Sequence, residues 1–165
     1  MIVLGIDPGT AITGYGVVRG DARAQTLVEC GVIRTDARAP LADRLAAIFD
    51  GICELIERHR PERLAVENAF YSKNVRTTLV LGHARGVVLL AGARAGVPIA
   101  EFAPAIIKKT VVGAGGATKQ QVQFMTAKLL RLKTAPAPTD AADGVAAALT
   151  YLMRQEARGK RQEPR

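Results

Sequence analysis

The amino-acid sequence predicts an α/β protein built on a five-stranded mixed β-sheet flanked by α-helices. Three observations lead to this prediction. Short β-favouring runs near the N-terminus follow one another closely, as the strands of an antiparallel meander do. Two further short apolar runs are separated by stretches with apolar residues at helical spacing, as in parallel strands linked by helices. The chain has 165 residues and is 48% hydrophobic, which suffices for the core of one domain, predicted over residues 1–158.

The first predicted strand covers residues 2–7. Its run is apolar at successive positions, which is typical of a strand in the centre of a sheet. Pro8 cannot donate a hydrogen bond to a strand ladder and Gly9 permits a tight turn, so the strand ends at Asp7. Asp7 is therefore either an acid at a strand end, where open sheets place their sites, or a carboxylate that only stabilises the turn.

The next elements complete the meander and add a crossover. Strands two and three are predicted over residues 13–18 and 26–35, with a turn between them, and an amphipathic helix extends from residue 40 to residue 60. A fourth strand over residues 63–68 contains Glu67 near its end, just as the first strand ends in Asp7. Because a helix links these two strands, we expect them to be parallel and both acids to emerge at the same sheet edge.

The second half of the chain is predicted to be mostly helical. A loop leads into a helix over residues 77–95, and a fifth strand over residues 97–102 lies at the sheet edge because it contains Pro98. A short helix over residues 105–112 precedes a flexible glycine-rich segment. Thr118 is expected to cap a helix that ends near residue 130, and Thr139 one that ends near residue 158. Residues 159–165 form a basic, polar tail that is predicted to be disordered.

Charge and composition narrow the classes of function. Lysine and arginine number 23 against 15 aspartate and glutamate residues, and the net charge of +8 favours a polyanionic partner such as nucleic acid. No apolar stretch approaches the roughly 18 residues of a membrane helix and no basic leader precedes the first strand, so we expect a cytoplasmic protein without membrane contact. Cys30 and Cys53 are predicted to be buried apolar residues, and His59 and His83 to have no catalytic role.

Four acids require a common explanation. Asp7 and Glu67 lie at strand ends, whereas Asp140 and Asp143 lie three residues apart on one face at the start of the last helix. Carboxylates gathered in one place repel one another unless cations hold them together, and Mg²⁺ prefers such oxygen ligands. Two ions roughly 4 Å apart can activate a water and neutralise the leaving 3′ oxygen of a phosphodiester. Taken singly, the acids have simpler roles in a turn, an ion pair or a helix cap.

Aromatic and basic residues accompany the acids. Phe70 and Tyr71 are adjacent in a polar loop, so one ring is expected to be exposed and to stack on unpaired bases, unless both rings pack beneath the loop. Lys119, at a helix start beside several glycines, is either a phosphate ligand or a solvated lysine. Three further cations are expected to follow the DNA backbone without selecting sequence: Lys73, Arg76 and Lys108.

The order of several motifs resembles the RuvC-type Holliday-junction resolvases of the RNase H-like superfamily. The motifs occupy residues 5–9, 13–16, 67–74, 81–86, 108–113, 119–123 and 140–143, and the resemblance extends from residue 1 to about residue 158. It implies an RNase H-like fold, a homodimer, and paired nicking of four-way junction DNA that leaves 5′-phosphate and 3′-hydroxyl ends. It also implies two Mg²⁺ ions per active site, for which Mn²⁺ can substitute, and the branch-migration proteins RuvA and RuvB as partners.

The resemblance assigns roles to individual residues. The four metal ligands of the family correspond to Asp7, Glu67, Asp140 and Asp143. Its aromatic wedge corresponds to Phe70, and its basic residues near the scissile strand correspond to Lys108 and Lys119. This chain departs from many members at His83, where Gln is frequent, and at Gly144, where Ala is usual. Its segment 113–119 is also richer in glycine and poorer in charge, which leaves the DNA contacts of that segment open.

Three other functions remain open from the sequence. The run from Asp7 to Thr10 also resembles the first phosphate loop of sugar-kinase and actin-like ATPases, although a chain of 165 residues lacks their second lobe. A ribonuclease H that cleaves RNA/DNA hybrids would use the same arrangement of acids. A non-catalytic junction-binding protein would need the basic residues but not the acids.

Overall fold

In the computed structural model, five strands form one mixed sheet in the order β3-β2-β1-β4-β5. They are β1 (Ile2–Asp7), β2 (Ile12–Gly20), β3 (Gln25–Arg34), β4 (Arg63–Glu67) and β5 (Ile99–Phe102). The first three strands are antiparallel neighbours, whereas β4 is parallel to both β1 and β5. The predicted mixed sheet, the meander and the parallel pair of β1 and β4 are confirmed. The structure describes residues 1–68 and 74–159, with side chains described as far as residue 155.

Within the described residues, five helices accompany the sheet: α1 (Leu41–His59), α2 (Val75–Arg94), α3 (Pro104–Val112), α4 (Lys119–Leu129) and α5 (Thr139–Gly159). Thr118 caps α4 as predicted. Helix α2 begins earlier than predicted because the Asn74 side chain caps it by accepting two backbone N–H bonds. Thr139 is the first residue of α5 and not its cap, since the helical turn already starts with an Ala141 N–H bond to the Pro138 carbonyl. The predicted disordered tail after Gly159 lies outside the described residues.

Helices cover both faces of the sheet. Helices α1 and α2 pack on the face that carries Leu4 and Ile6, whereas α5, together with α3 and α4, covers the face that carries Val3. Strand side chains alternate between the two faces, so Gly5 and Asp7 share the α5 face with Val3. The carboxylate of Asp7 is therefore directed to the side on which α5 begins.

The backbone of α5 lies directly against the central strands because three strand residues there are glycines. A Cβ atom would lie 2.1 Å from the Gly144 carbonyl oxygen if built at Gly5, and 1.8 Å from the Asp140 carbonyl oxygen if built at Gly14. Gly16, which pairs with Gly5 across the sheet, would meet α5 at a similarly short distance. Since Gly14 pairs with Asp7, this packing places the first turn of α5 beside the Asp7 carboxylate.

Several side chains away from the acids have structural roles. Nε2 of His59 lies 2.8 Å from Oε2 of Glu29, and Oε1 of the same carboxylate accepts a hydrogen bond from the Tyr15 hydroxyl at 2.8 Å. Cys30 and Cys53 are only partly buried, contrary to the prediction, because each lies at the margin of a core cluster. No helix in the described part of the chain combines the length and the apolar character needed to cross a membrane.

Substitution of Gly5 by alanine is expected to lower the free energy of unfolding by about 3 kcal/mol, because the new methyl group overlaps the α5 backbone. Urea unfolding followed by circular dichroism measures this change. Gly116→Ala is the control, since a Cβ atom there meets nothing within 4 Å, and its effect should stay within about 0.5 kcal/mol. Equal small effects of both substitutions would contradict the close packing of α5 on β1.

Candidate active site

Three carboxylates meet where β1 ends and α5 begins. Asp7, Asp140 and Asp143 each place one carboxylate oxygen within 4.8 Å of the others, and all three side chains are partly buried. Oxygen atoms that share one Mg²⁺ ion lie roughly 2 Å from it and so about 3 to 4 Å apart. Small side-chain adjustments would therefore bring this set into coordination distance. We call these three residues, together with Glu67, the acid cluster.

Glu67 lies one strand away from Asp7 at the end of β4. Ile6 is in register with Val66, so the two acids leave the sheet at the same edge, as expected for parallel strands. Glu67 lies outside the group within 4.8 Å, yet its charge contributes to the raised pKa of Asp7. Asn68 follows, and its buried Oδ1 has no hydrogen-bond partner among the described residues. This sheet edge therefore concentrates oxygen ligands.

Burial and mutual repulsion make the fully ionised acid cluster unfavourable without a cation. Burial, followed by the charges of Glu67 and Asp143, raises the pKa of Asp7 to about 8. Burial and the charge of Asp143 likewise raise the pKa of Glu67 to about 7. Near neutral pH these acids bind either protons or cations. An all-oxygen donor set of this kind fits hard divalent ions such as Mg²⁺ and Mn²⁺.

Lys119 is in direct contact with the acid cluster. Its Nζ donates a hydrogen bond to Oδ2 of Asp143 at 2.9 Å. This bond, helped by the charges of Asp143 and Asp7, raises the pKa of Lys119. The side chain stays 62% exposed, so it can exchange the carboxylate for a phosphate without unfolding any element. Lys119 therefore neutralises part of the charge of the cluster while remaining open to solvent.

The other predicted DNA-contact residues differ in how far the structure places them. The positive charge of Lys108 on α3 offsets part of the rise in the pKa of Glu67, so it acts on the acid cluster. Arg76 is exposed in the first turn of α2. Three predicted DNA contacts lie outside the described residues: Phe70, Tyr71 and Lys73. Their roles stay predictions.

Two residues that sequence reasoning missed stabilise the turn after Asp7. Thr13 is fully buried and its hydroxyl donates to the Gly9 carbonyl at 2.7 Å. Arg44 on α1 donates from Nε to the Thr10 carbonyl at 3.2 Å. Thr13 precedes Gly14 in one of the sequence motifs, which gave a weak signal of such a role. Arg44 gave none, because its contact joins residues that are 34 positions apart.

This architecture defines a nuclease of the RNase H-like class, with acids at the ends of two adjacent parallel strands and at the start of a helix packed across them. A family model described as crossover junction endodeoxyribonuclease RuvC matches residues 3–151. The chain belongs to this family. The RuvC protein of Pelotomaculum thermopropionicum is 49% identical over 151 residues, which cover 92% of each chain. That of Halorhodospira halophila is 52% identical over 149 residues, which cover 90% of this chain and 88% of the relative.

Solved structures agree with this assignment. Thermus thermophilus RuvC in complex with a Holliday junction substrate is 35% identical, with a TM-score of 0.90 over 95% of this chain and 96% of that one. The yeast mitochondrial Holliday junction resolvase is 16% identical, with a TM-score of 0.60 over 96% of this chain and 82% of that one, and so supports the fold alone. The predicted RNase H-like fold and the resemblance to RuvC-type proteins are confirmed.

The raised pKa of Asp7 predicts how the stability of the metal-free protein depends on pH. The folded state retains this proton up to about pH 8, whereas the unfolded chain releases it near pH 4. The contribution of the Asp7 proton to stability is therefore fully present below about pH 4 and is lost as the pH rises towards 8. Asp7→Asn removes the charge, so we expect the variant to be more stable than the wild type at pH 8, on the order of 1–3 kcal/mol. Urea unfolding in EDTA at pH 4 and pH 8 measures the difference.

A divalent metal should reverse this order of stability. Mg²⁺ or Mn²⁺ is expected to raise the Tm of the wild type, because the ion binds the folded acid cluster and not the unfolded chain. Asp7→Asn should respond much less. Asp36→Asn is a suitable control because Asp36 is exposed and paired with Arg38. A wild-type Tm that does not respond to either ion would contradict the metal site.

Proposed function

We propose that this chain resolves four-way DNA junctions as a homodimer, by metal-dependent phosphodiester hydrolysis that nicks two opposed strands. The observation that carries the proposal is the acid cluster at one edge of a RuvC-like sheet. Thermus thermophilus RuvC, which is similar over 95% of this chain, is known in complex with a Holliday junction substrate. The net charge of +8 suits a nucleic-acid substrate.

Magnesium, with manganese as a substitute, is the metal that we propose for the acid cluster, held by Asp7, Glu67, Asp140 and Asp143. Two bound ions would activate the attacking water and neutralise the leaving 3′ oxygen. The protein contributes rigidity, because Asp7 ends a central strand and both aspartates of α5 belong to a helix packed tightly on it. Ligands on such elements keep their positions better than ligands on loops.

The basic residues at the site orient the scissile strand. Lys119 is paired with Asp143 in the free protein, and we propose that it turns to a phosphate when DNA enters. Lys108, whose charge acts on Glu67, contacts the same strand. Both act as point charges on the sugar-phosphate backbone, which positions the substrate without reading its bases.

Further parts of the proposal rest on the family resemblance and, for Tyr71, Lys73, Arg76 and the location, on the residues of the chain alone. Phe70 opens base pairs at the crossover, with Tyr71 beside it, while Lys73 and Arg76 follow the backbone of the same arm. The products carry 5′-phosphate and 3′-hydroxyl ends, which a ligase can join. RuvA and RuvB are the proposed protein partners, and the cytoplasm is the proposed location.

An exposed apolar face of α2 supports the homodimer. Val75 and Leu79 are 75% and 61% exposed, and Leu90 is 52% exposed. Together with Gly82 and Gly86 they lie at spacings of three and four, on one face of the helix. This face borders an open apolar groove lined by Leu45, Thr78, Leu79, Gly82, His83, Gly86, Val87 and Leu90.

A second copy of this chain is the occupant that fits this face. A Cβ atom at Gly82 or Gly86 would meet nothing within 4 Å, so another helix can approach the α2 backbone closely there. A two-fold junction needs two active sites in one assembly, and a two-fold interface through α2 supplies them with the same patch on both subunits. Strand β4 ends at Glu67 and α2 begins at Val75, so the proposed interface lies on the helix that follows the second acid in the chain.

Cleavage assays test the proposed chemistry. The wild type should nick a synthetic four-way junction symmetrically in Mg²⁺ and leave a linear duplex of the same sequence intact. Asp7→Asn and Glu67→Gln are each expected to reduce cleavage at least about 100-fold, because each removes a metal ligand. Both variants should still bind the junction, and Asp36→Asn should cut it at the wild-type rate.

The same assay separates the alternative functions. Cleavage of an RNA/DNA hybrid in place of the junction would assign the protein to the ribonucleases H. Tight junction binding without cleavage of any substrate would make it a binding protein. Full activity of Asp7→Asn and Glu67→Gln would exclude the acid cluster as the catalytic site.

The dimer surface makes a separate prediction. Leu79→Glu places a charge on the exposed apolar face of α2 and should convert the protein to a monomer of 17.5 kDa, whereas the wild type should have twice this mass. Light scattering coupled to gel filtration measures the masses. Val28→Glu is the matched control, because Val28 is an exposed apolar residue on the edge strand β3, away from α2. A wild-type protein that is monomeric, or a Leu79→Glu variant that remains dimeric, would contradict this surface.

A further inference from the structure

The segment that carries α3 and α4 holds most of the excess positive charge of the chain. Residues 102–139 contain no aspartate or glutamate, but they contain six of the lysine and arginine residues: Lys108, Lys109, Lys119, Lys128, Arg131 and Lys133. Ordinary protein surfaces intersperse charges of both signs. An acid-free segment of this length therefore indicates a polyanionic partner.

One face of α4 combines this charge with an exposed aromatic ring. Gln120, Phe124 and Lys128 are exposed and follow one another at spacings of four, so they share one side of the helix, and Arg131, also exposed, follows just beyond the helix end. The Phe124 ring is 59% exposed, and the Lys128 ammonium lies 5.5 Å from its centroid. We call these four residues the outer face of α4.

The outer face of α4 starts beside the acid cluster. Lys119, the first residue of α4, is hydrogen-bonded to Asp143. The helix has 11 residues and is therefore about 16 Å long, which matches the rise of about five base pairs. On the inner side of the helix, Val122 and Thr126 are buried. The outer face therefore leads away from the acid cluster along the protein surface.

Arg131 continues this face beyond the end of the helix. Its φ of 54° lies in the left-handed region, where glycine or asparagine is the usual residue after a helix. Arg60 adopts the same region, with φ of 45°, at the end of α1, where the chain enters β4 at the sheet edge opposite the acid cluster. The two arginines therefore share a backbone conformation and differ in their location relative to the acid cluster.

We propose that the outer face of α4 binds the sugar-phosphate backbone of the DNA arm that leaves the acid cluster. Lys128 and Arg131 contact phosphates, and the Phe124 ring keeps the Lys128 ammonium on this face through a cation–π contact. This inference rests on the proposed function, because the arm is defined by DNA bound at the acid cluster. It adds a second contact region to Lys108 and Lys119, which lie at the cluster itself.

The salt dependence of junction binding tests this proposal. Affinity for a labelled four-way junction is measured in EDTA, where no cleavage occurs, from about 50 to 200 mM KCl. The double variant Lys128→Gln/Arg131→Gln should lower the steepness of log K against log salt by about 2, because two phosphate contacts are lost. Phe124→Ala should weaken binding about 2- to 5-fold, and Phe124→Tyr should restore it.

Arg60→Gln is the matched control, since it removes an exposed arginine from the same backbone conformation at the opposite sheet edge. It should keep the wild-type affinity and salt dependence, and thermal unfolding should show that all variants are folded. If the wild type cuts junctions but the double variant binds them with the same salt dependence as Arg60→Gln, the proposed role of the outer face of α4 is wrong and the proposed function stands. In another outcome, the wild type cuts no junction, while the double variant still binds duplex DNA with a weaker salt dependence than the wild type does. That result would overturn the proposed function and keep the DNA-binding face.

Discussion

The close approach of α5 to the central strands is the constraint on which the site depends. Three glycines on β1 and β2 carry no side chain towards the helix, so at these positions the helix backbone contacts the strand backbone directly. Two of the four acids start that helix and a third ends β1. Their separation is therefore set by backbone packing, which is much stiffer than the side-chain rotamers of a loop.

The same packing brings like charges together at the expense of stability. Burial and repulsion raise the pKa values of Asp7 and Glu67 towards and above neutrality, and Lys119 compensates for only part of the charge. A site that is destabilised when empty binds cations strongly, because the ion relieves repulsion that folding has already imposed. Stability and metal affinity are thus two results of one geometry.

The fold separates different tasks onto different surfaces. The acid cluster lies at one edge of the sheet, between the layer of α1 and α2 and the layer of α3, α4 and α5. The apolar face of α2 belongs to the first layer, and the acid-free basic segment belongs to the second. The proposed subunit contact and the DNA contacts proposed on α3 and α4 therefore do not compete for the same area.

Local patterns in the sequence determined the five strands, the five helices and the four acids, because apolar periodicity, proline and capping residues act over a few positions. Tertiary structure alone decided which residues meet. The contact of Arg44 with the turn after Asp7 and the pairing of Lys119 with Asp143 join residues far apart in the chain, so no local pattern predicts them. In the sequence, the glycines at positions 5, 14 and 16 lay within predicted strands and had no assigned packing role. Their function became visible only when α5 was found against them, because a missing side chain matters only when another backbone occupies its space.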